Sequence, residues 1–242
     1  MSRVDESVNR HLRMREKMNL MISTIKHLEM KSGKTLAALG VALALLFAPF
    51  THAADLAPDE FIKTLCNSLL ESVKTDKNLK SGDPERIRQV VDTQVLPNVN
   101  FQRMTASAVG PQWRSATDDQ KAKLQEQFKI LLMHTYSGAL TQIRDQTVTV
   151  KPLRSDPQDK EVLVKTEVKG GGEPIQLDYR LEKTPGVGMG WKIYNLNVLG
   201  VWLVDTYRTQ FSQEINAKGI DGLIATLTER NQSNGNTQSA KK

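Results

Sequence analysis

Between Thr117 and Leu227 the spacing of apolar residues changes period twice, and that limits the folds open to this chain. Leu124, Phe128, Leu131, Leu132, Thr135, Tyr136, Ala139 and Ile143 recur every three or four residues, the stripe of one long amphipathic helix. The segments VTVKPL, EVLVKTEV, PIQLDYRLEK and GWKIYNLNV then alternate at period two and read as four successive strands. After Gly200 the helical period returns with Leu203, Tyr207, Phe211 and Ile215. Helices, then neighbouring strands, then helices predict an α+β fold with a curled antiparallel sheet.

The turns support that order. Ser155–Lys160, Gly170–Glu173 and Pro185–Gly190 are too short for crossovers, so they favour a meander. Val162, Val164, Val168, Ile175, Leu177, Tyr179 and Leu181 share one face, and Lys165, Glu167, Gln176, Asp178, Arg180 and Glu182 the other. The fourth strand breaks the pattern: strict alternation puts Trp191 and Ile193 on one side and Tyr194, Leu196 and Val198 on the opposite one. The next seven-residue stretch, Val198 to Val204, carries no polar side chain.

Upstream, Pro58 opens a helix bearing Phe61, Leu65, Leu69 and Val73, and Asp83 with Pro84 opens another that ends near Pro97. A short helix is predicted over 100–109, stopped by Gly110 and Pro111, and Thr117 to Gln120 forms a capping box for the long helix. Gly219 marks a stop before a last short helix with Ile220, Leu223, Ile224 and Leu227, and residues 231–242 are a polar tail expected to be disordered.

The start of the chain carries an address. From Met30, Lys31 and Lys34 precede an apolar stretch, Leu36 to Phe50, and Thr51-His52-Ala53 lies ahead of Ala54. This is the pattern of a secretory signal peptide over 30–53, cleaved between Ala53 and Ala54. Residues 1–29 then read as an over-extended start and residues 54–230 as a single domain. Of the 33 basic and 27 acidic residues, eight and four lie in the first 53, so the remainder has a net charge near +2. That balance gives no support for nucleic-acid binding.

Chemistry-bearing residues are scarce. Beyond the leader only His134 and Cys66 remain of their types, which excludes a multi-His or His/Cys metal site and any internal disulfide. Cys66 lies on an apolar helix face and reads as a buried thiol. No phosphate-cradling glycine loop or nucleophile elbow is present, and no cofactor is implied. An acid pair in a pocket stays open, with Asp178 or Asp205 as a base.

The block VLPNVNFQRMTASAVGPQWRSATDDQKAKLQEQFKILLMHTYSGAL, the four strands, WKIYNLNVLGVWLVDTYRTQF and KGIDGLIATL together resemble the MlaC or toluene-tolerance family of Gram-negative bacteria. The resemblance spans Leu56 to Leu227. It implies helices packed on a curled four-stranded sheet around an apolar cavity, of NTF2-like or cystatin-like general shape, holding phospholipid as cargo. It further implies a monomeric, non-enzymatic periplasmic carrier that maintains outer-membrane lipid asymmetry. The partners would be an outer-membrane lipoprotein–porin complex and an inner-membrane ABC transporter with a ring-forming lipid-binding subunit. Asn195 stands where the family usually has Asp, and Trp202 where Ser is common.

The expected cavity residues are Leu132, Tyr136, Val164, Leu177, Tyr179, Trp191, Tyr194, Val198, Val201 and Trp202. Tyr136, Tyr179, Tyr194 and Trp202 suit the boundary between buried tails and solvated headgroup, because aromatics combine an apolar body with polarity. Arg208 and Lys192 are candidate headgroup neighbours. An enzyme using the same cavity, or a chaperone for lipoproteins or hydrophobic peptides, are the alternatives.

Overall fold

In a computed structural model of the chain, residues 55–239 are described, apart from 157, 171 and 172. The expected extension, signal peptide and cleavage site lie outside them. No helix among the described residues is long and apolar enough to cross a membrane.

The described residues form six α-helices and a five-stranded antiparallel sheet. Helix α1, Pro58–Thr75, starts at its proline with Asp59 and Glu60 in the first turn, where acids suit the helix dipole. The short α2, Lys77–Ser81, is capped by Asp76, whose carboxylate accepts from the backbone N–H groups of Asn78 and Leu79. Helix α3, Pro84–Val90, has Asp83 as its N-cap, accepting from Arg86 N at 2.8 Å. Its continuation to Asn98 is a π turn followed by a 3-10 turn. Helix α4, Phe101–Val109, stops at Gly110, where φ is +80° and an L side chain would be strained. The capping box at Thr117 and Gln120 is formed in full and opens α5, Asp118–Leu140.

The strands are β1, Thr147–Val150; β2, Glu161–Lys169; β3, Ile175–Lys183; β4, Trp191–Val198; and β5, Val201–Trp202. They pair in sequence order, as the short turns require. One expectation is corrected. The sheet has five strands rather than four, because the apolar run after Val198 turns back at once: Leu199 and Gly200, with φ of +51° and +89°, form a two-residue hairpin turn. The linear strand order leaves β1 and β5 as the edges of an open meander.

Strand β4 also departs from strict alternation. Arg180 pairs with Asn195 while Leu181 pairs with Ile193, so Tyr194 is the extra residue of a β-bulge. The bulge places Trp191, Ile193, Leu196 and Val198 on the same face, and turns Asn195 and Asn197 to the other. Helix α1 packs on β1 and β2, while α4 and α6, Leu203–Ser239, pack on β4. Helix α6 breaks at Gly219, where φ is +71°, and then continues through Ser239 into the segment read as a tail. Asn231 there is buried and donates to the Gln127 carbonyl at 2.9 Å.

Candidate functional site

The pairing register assembles the apolar sheet face in rows. Val162, Leu181 and Ile193 form the first; Val164, Tyr179 and Leu196 the second; Thr166, Leu177, Val198 and Val201 the third; Val168 and Ile175 the fourth. All three members of the first row are buried, as are Val164 and Tyr179 of the second. The helices supply the cover through Phe61, Ile62, Leu65, Met104, Leu124, Phe128, Leu131, Tyr207 and Phe211, all in one core cluster. Phe128 sits at its centre, with its ring 5.0 Å from Tyr207 and 5.2 Å from Phe211 in edge-to-face contact.

Cover is lost toward the other end of the same face. Leu177 and Val198 are half-buried, while Ile175, Val201 and Leu199 are 44%, 53% and 63% exposed. The stripe on α5 thins in parallel: Leu131 is buried, Leu132 half-buried, and Thr135, Tyr136 and Ala139 are exposed. Partial desolvation of its hydroxyl, with the charge and hydrogen-bond interaction of Tyr207, pushes Tyr136 above the ordinary phenol range. An apolar surface that begins in the core thus runs out to solvent.

Tyr179 marks the transition. Its hydroxyl lies 3.5 Å from Cys66 Sγ, and Thr166 Oγ1 beside it donates to the Leu177 carbonyl at 2.8 Å. Burial pushes both Tyr179 and Cys66 up, so each stays protonated at neutral pH. The buried thiol is as the sequence implies.

The ten residues expected at a cavity divide three ways. Val164, Leu177, Tyr179, Trp191, Val198 and Val201 share the apolar face. Of these, Trp191 closes the covered end, donating Nε1–H to the Leu56 carbonyl at 2.9 Å. Leu132 and Tyr136 lie along α5. Tyr194 and Trp202 belong to the opposite, polar face: Arg103 stacks over Tyr194 at 3.6 Å, whose hydroxyl donates to Glu161 at 2.9 Å, and Arg180 covers Trp202 at 4.1 Å. Arg103 also grips Glu161 and Glu182, and it holds the Glu161 carboxyl below the usual range.

Leu196 and Ile175 join the apolar surface without having been singled out as site residues. The paired strand Arg180-Leu181 and the run of polar Asn195 and Asn197 carry the bulge that moves Leu196, a signal visible only once β3 and β4 are in register. Asn195, the position where Asp is usual, accepts from the backbone N–H of Leu196 and of Val204, tying β4 to the start of α6. Of the carboxylates weighed as bases, Asp178 is buried on the polar face with Gln176 donating to it, and Asp205 is exposed. Lys192 faces Glu182 in the register on that polar face. The described residues contain no cluster of His, Cys, Asp and Glu able to hold a metal.

The profile of the family described as "MlaC protein" matches residues 63–229. The chain belongs to the MlaC family. It is 27% identical over 184 residues to the toluene tolerance protein ttg2D of Pseudomonas putida, covering 75% of this chain and 84% of that one. Identity to the intermembrane phospholipid transport system binding protein MlaC of Haemophilus influenzae is 22% over 181 residues, 74% of this chain and 84% of the other. Among solved structures, a phospholipid-binding protein from Ralstonia solanacearum, in complex with a phospholipid, superposes with a TM-score of 0.71 at 39% identity. That match covers 74% of this chain and 99% of the other. MlaC membership accounts for the sparse polar chemistry of the face: its distinguishing material is aliphatic.

Proposed function

We propose that this chain is a periplasmic phospholipid carrier whose acyl-chain site lies along the half-covered end of the apolar sheet face. The observation that carries the reading is the phospholipid held by the Ralstonia solanacearum protein, whose whole length this chain matches at 39% identity. Physical chemistry supports the placement. Each methylene removed from water contributes about 0.8 kcal/mol, so an acyl chain laid against Leu177, Val198, Ile175 and the outer half of α5 gains affinity without any specific polar motif. Chain and protein gain together, because the same contact covers aliphatic side chains that the fold leaves wet. Leu132 and Tyr136 form the helical wall of the site, with Tyr136 toward the headgroup.

The carrier acts by binding and release, with no bond made or broken. Its partners are the outer-membrane lipoprotein–porin complex and the inner-membrane ABC transporter of the Mla system, and the traffic between them maintains outer-membrane asymmetry. The test is native mass spectrometry of protein purified from a Gram-negative periplasm without detergent, followed by lipid extraction. A stoichiometric phospholipid adduct is expected. A clean apo mass with no extractable lipid would overturn the reading, and a co-purifying peptide would favour a chaperone.

A further inference from the structure

A cleft of about 400 Å³ lies where the end of α4 meets the second turn of α6. Ala106, Ser107 and Gly110 form part of its lining, Trp113 flanks it, and Arg103, Arg114 and Arg208 converge on it. Their roles differ. Arg103 already binds Glu161 and Glu182. Arg114 and Arg208 are exposed and make no ion pair among the described residues. The small residues keep the wall low: a Cβ built on Gly110 would meet Arg208 Nε at 3.7 Å. Two uncommitted guanidinium forks beside an indole, in a concave setting, make a receptor for carboxylates, which such forks bind in pairs of parallel hydrogen bonds.

We infer that this cleft docks an acidic protein segment, one presenting Asp or Glu side chains, while the apolar face stays free. Its direction makes that possible. Tyr207 points into the core toward α5, and Arg208, one residue later, is turned about 100° around the helix toward α4. A partner seated against Arg114 and Arg208 therefore lies on the flank of α6 away from Tyr136. The depression is shallow and open, and its lining of arginines beside an indole is the composition of a protein-binding surface rather than of a membrane anchor. Anionic membrane surfaces are broad and attract protruding basic segments, whereas protruding acidic side chains of a partner enter a cleft and leave their counter-ions behind. The inference extends the carrier reading by giving the partner a surface, and it rests on that reading only for the partner's role.

The experiment titrates a fluorescein-labelled hexaglutamate peptide into the full chain and follows anisotropy at two salt concentrations. Saturable binding that weakens as salt rises is expected. The double substitution Arg114→Glu and Arg208→Glu should weaken it about tenfold or more, since each lost fork becomes a repulsive charge. Arg208→Gln alone gives a smaller loss in the same direction. Lys80→Glu with Lys160→Glu, an equal change of net charge at exposed sites elsewhere, should shift it by less than about twofold. Equal losses in both double variants, or no binding by the unmodified chain, would overturn the inference. So would unchanged peptide binding with loss of co-sedimentation on phosphatidylglycerol vesicles, which assigns the cleft to membranes. Phospholipid extracted from the Arg114→Glu protein should match the unmodified chain. Absence of lipid from every variant would strike the carrier reading and leave the docking result standing.

Discussion

The two ends of the apolar sheet face are built from the same residue types on the same strands, yet one is core and the other is surface. At the first, Val162, Leu181 and Ile193 are capped by helices, and Phe128 fills the centre. At the second, Leu177, Val198, Ile175 and Val201 keep the same orientation while helix cover thins. Composition therefore does not separate core from site here; coverage does. A folded domain gains stability from the first set, and the carrier we propose would gain ligand affinity from the second.

Charge placed at each end should break the comparison most sharply. Leu181→Asp puts an unpaired carboxylate in a fully covered position and should cost more than about 4 kcal/mol, seen as loss of a cooperative urea transition. Phe128→Ala, which removes the central ring, should cost about 3–5 kcal/mol by the same measurement. Ile175→Glu, at the open end, should change stability by less than about 0.5 kcal/mol while cutting the phospholipid recovered per protein by more than half. A folded Ile175→Glu protein with full lipid occupancy would move the site elsewhere, and Lys192→Ala should leave occupancy unchanged.

Smaller effects test how the two faces are joined. Asn195→Ala removes the acceptor shared by Leu196 and Val204, which should cost about 1–2 kcal/mol by leaving a buried N–H unpaired. The Arg103 cluster gives the smallest signal, and its sign is fixed. Because Glu161 is held below its ordinary range, its contribution is complete above about pH 4.3 and is lost as pH falls through the depressed folded value. Urea midpoints at neutral and strongly acid pH should therefore differ less in Arg103→Ala than in the unmodified chain.

Much of the fold was legible because local signals agreed with it. Pro58, Asp83 and the Thr117 capping box set their helices where capping chemistry places them, and the period-two segments became successive antiparallel strands. What escaped depends on contacts between strands. Alternation assigned Leu196 and Val198 to the side opposite Trp191, because a bulge at Tyr194 cannot be seen until Arg180 has a partner. The hairpin at Leu199 was hidden for a related reason: leucine with φ of +51° is unfavourable there, so the turn lacked its usual Asn-Gly signature. Aromatic character pointed to Tyr194 and Trp202 as boundary residues, and on the sheet face opposite Leu177 their rings stack against Arg103 and Arg180.

The most direct test puts the photoreactive residue p-benzoyl-phenylalanine in place of Leu177 and, separately, in place of Trp202, in protein purified without detergent. After illumination, intact mass should show a covalent phospholipid adduct at the Leu177 position and none at the Trp202 position. Adducts at Trp202 alone, in protein whose lipid still extracts, would put the acyl chains on the opposite face and contradict the account.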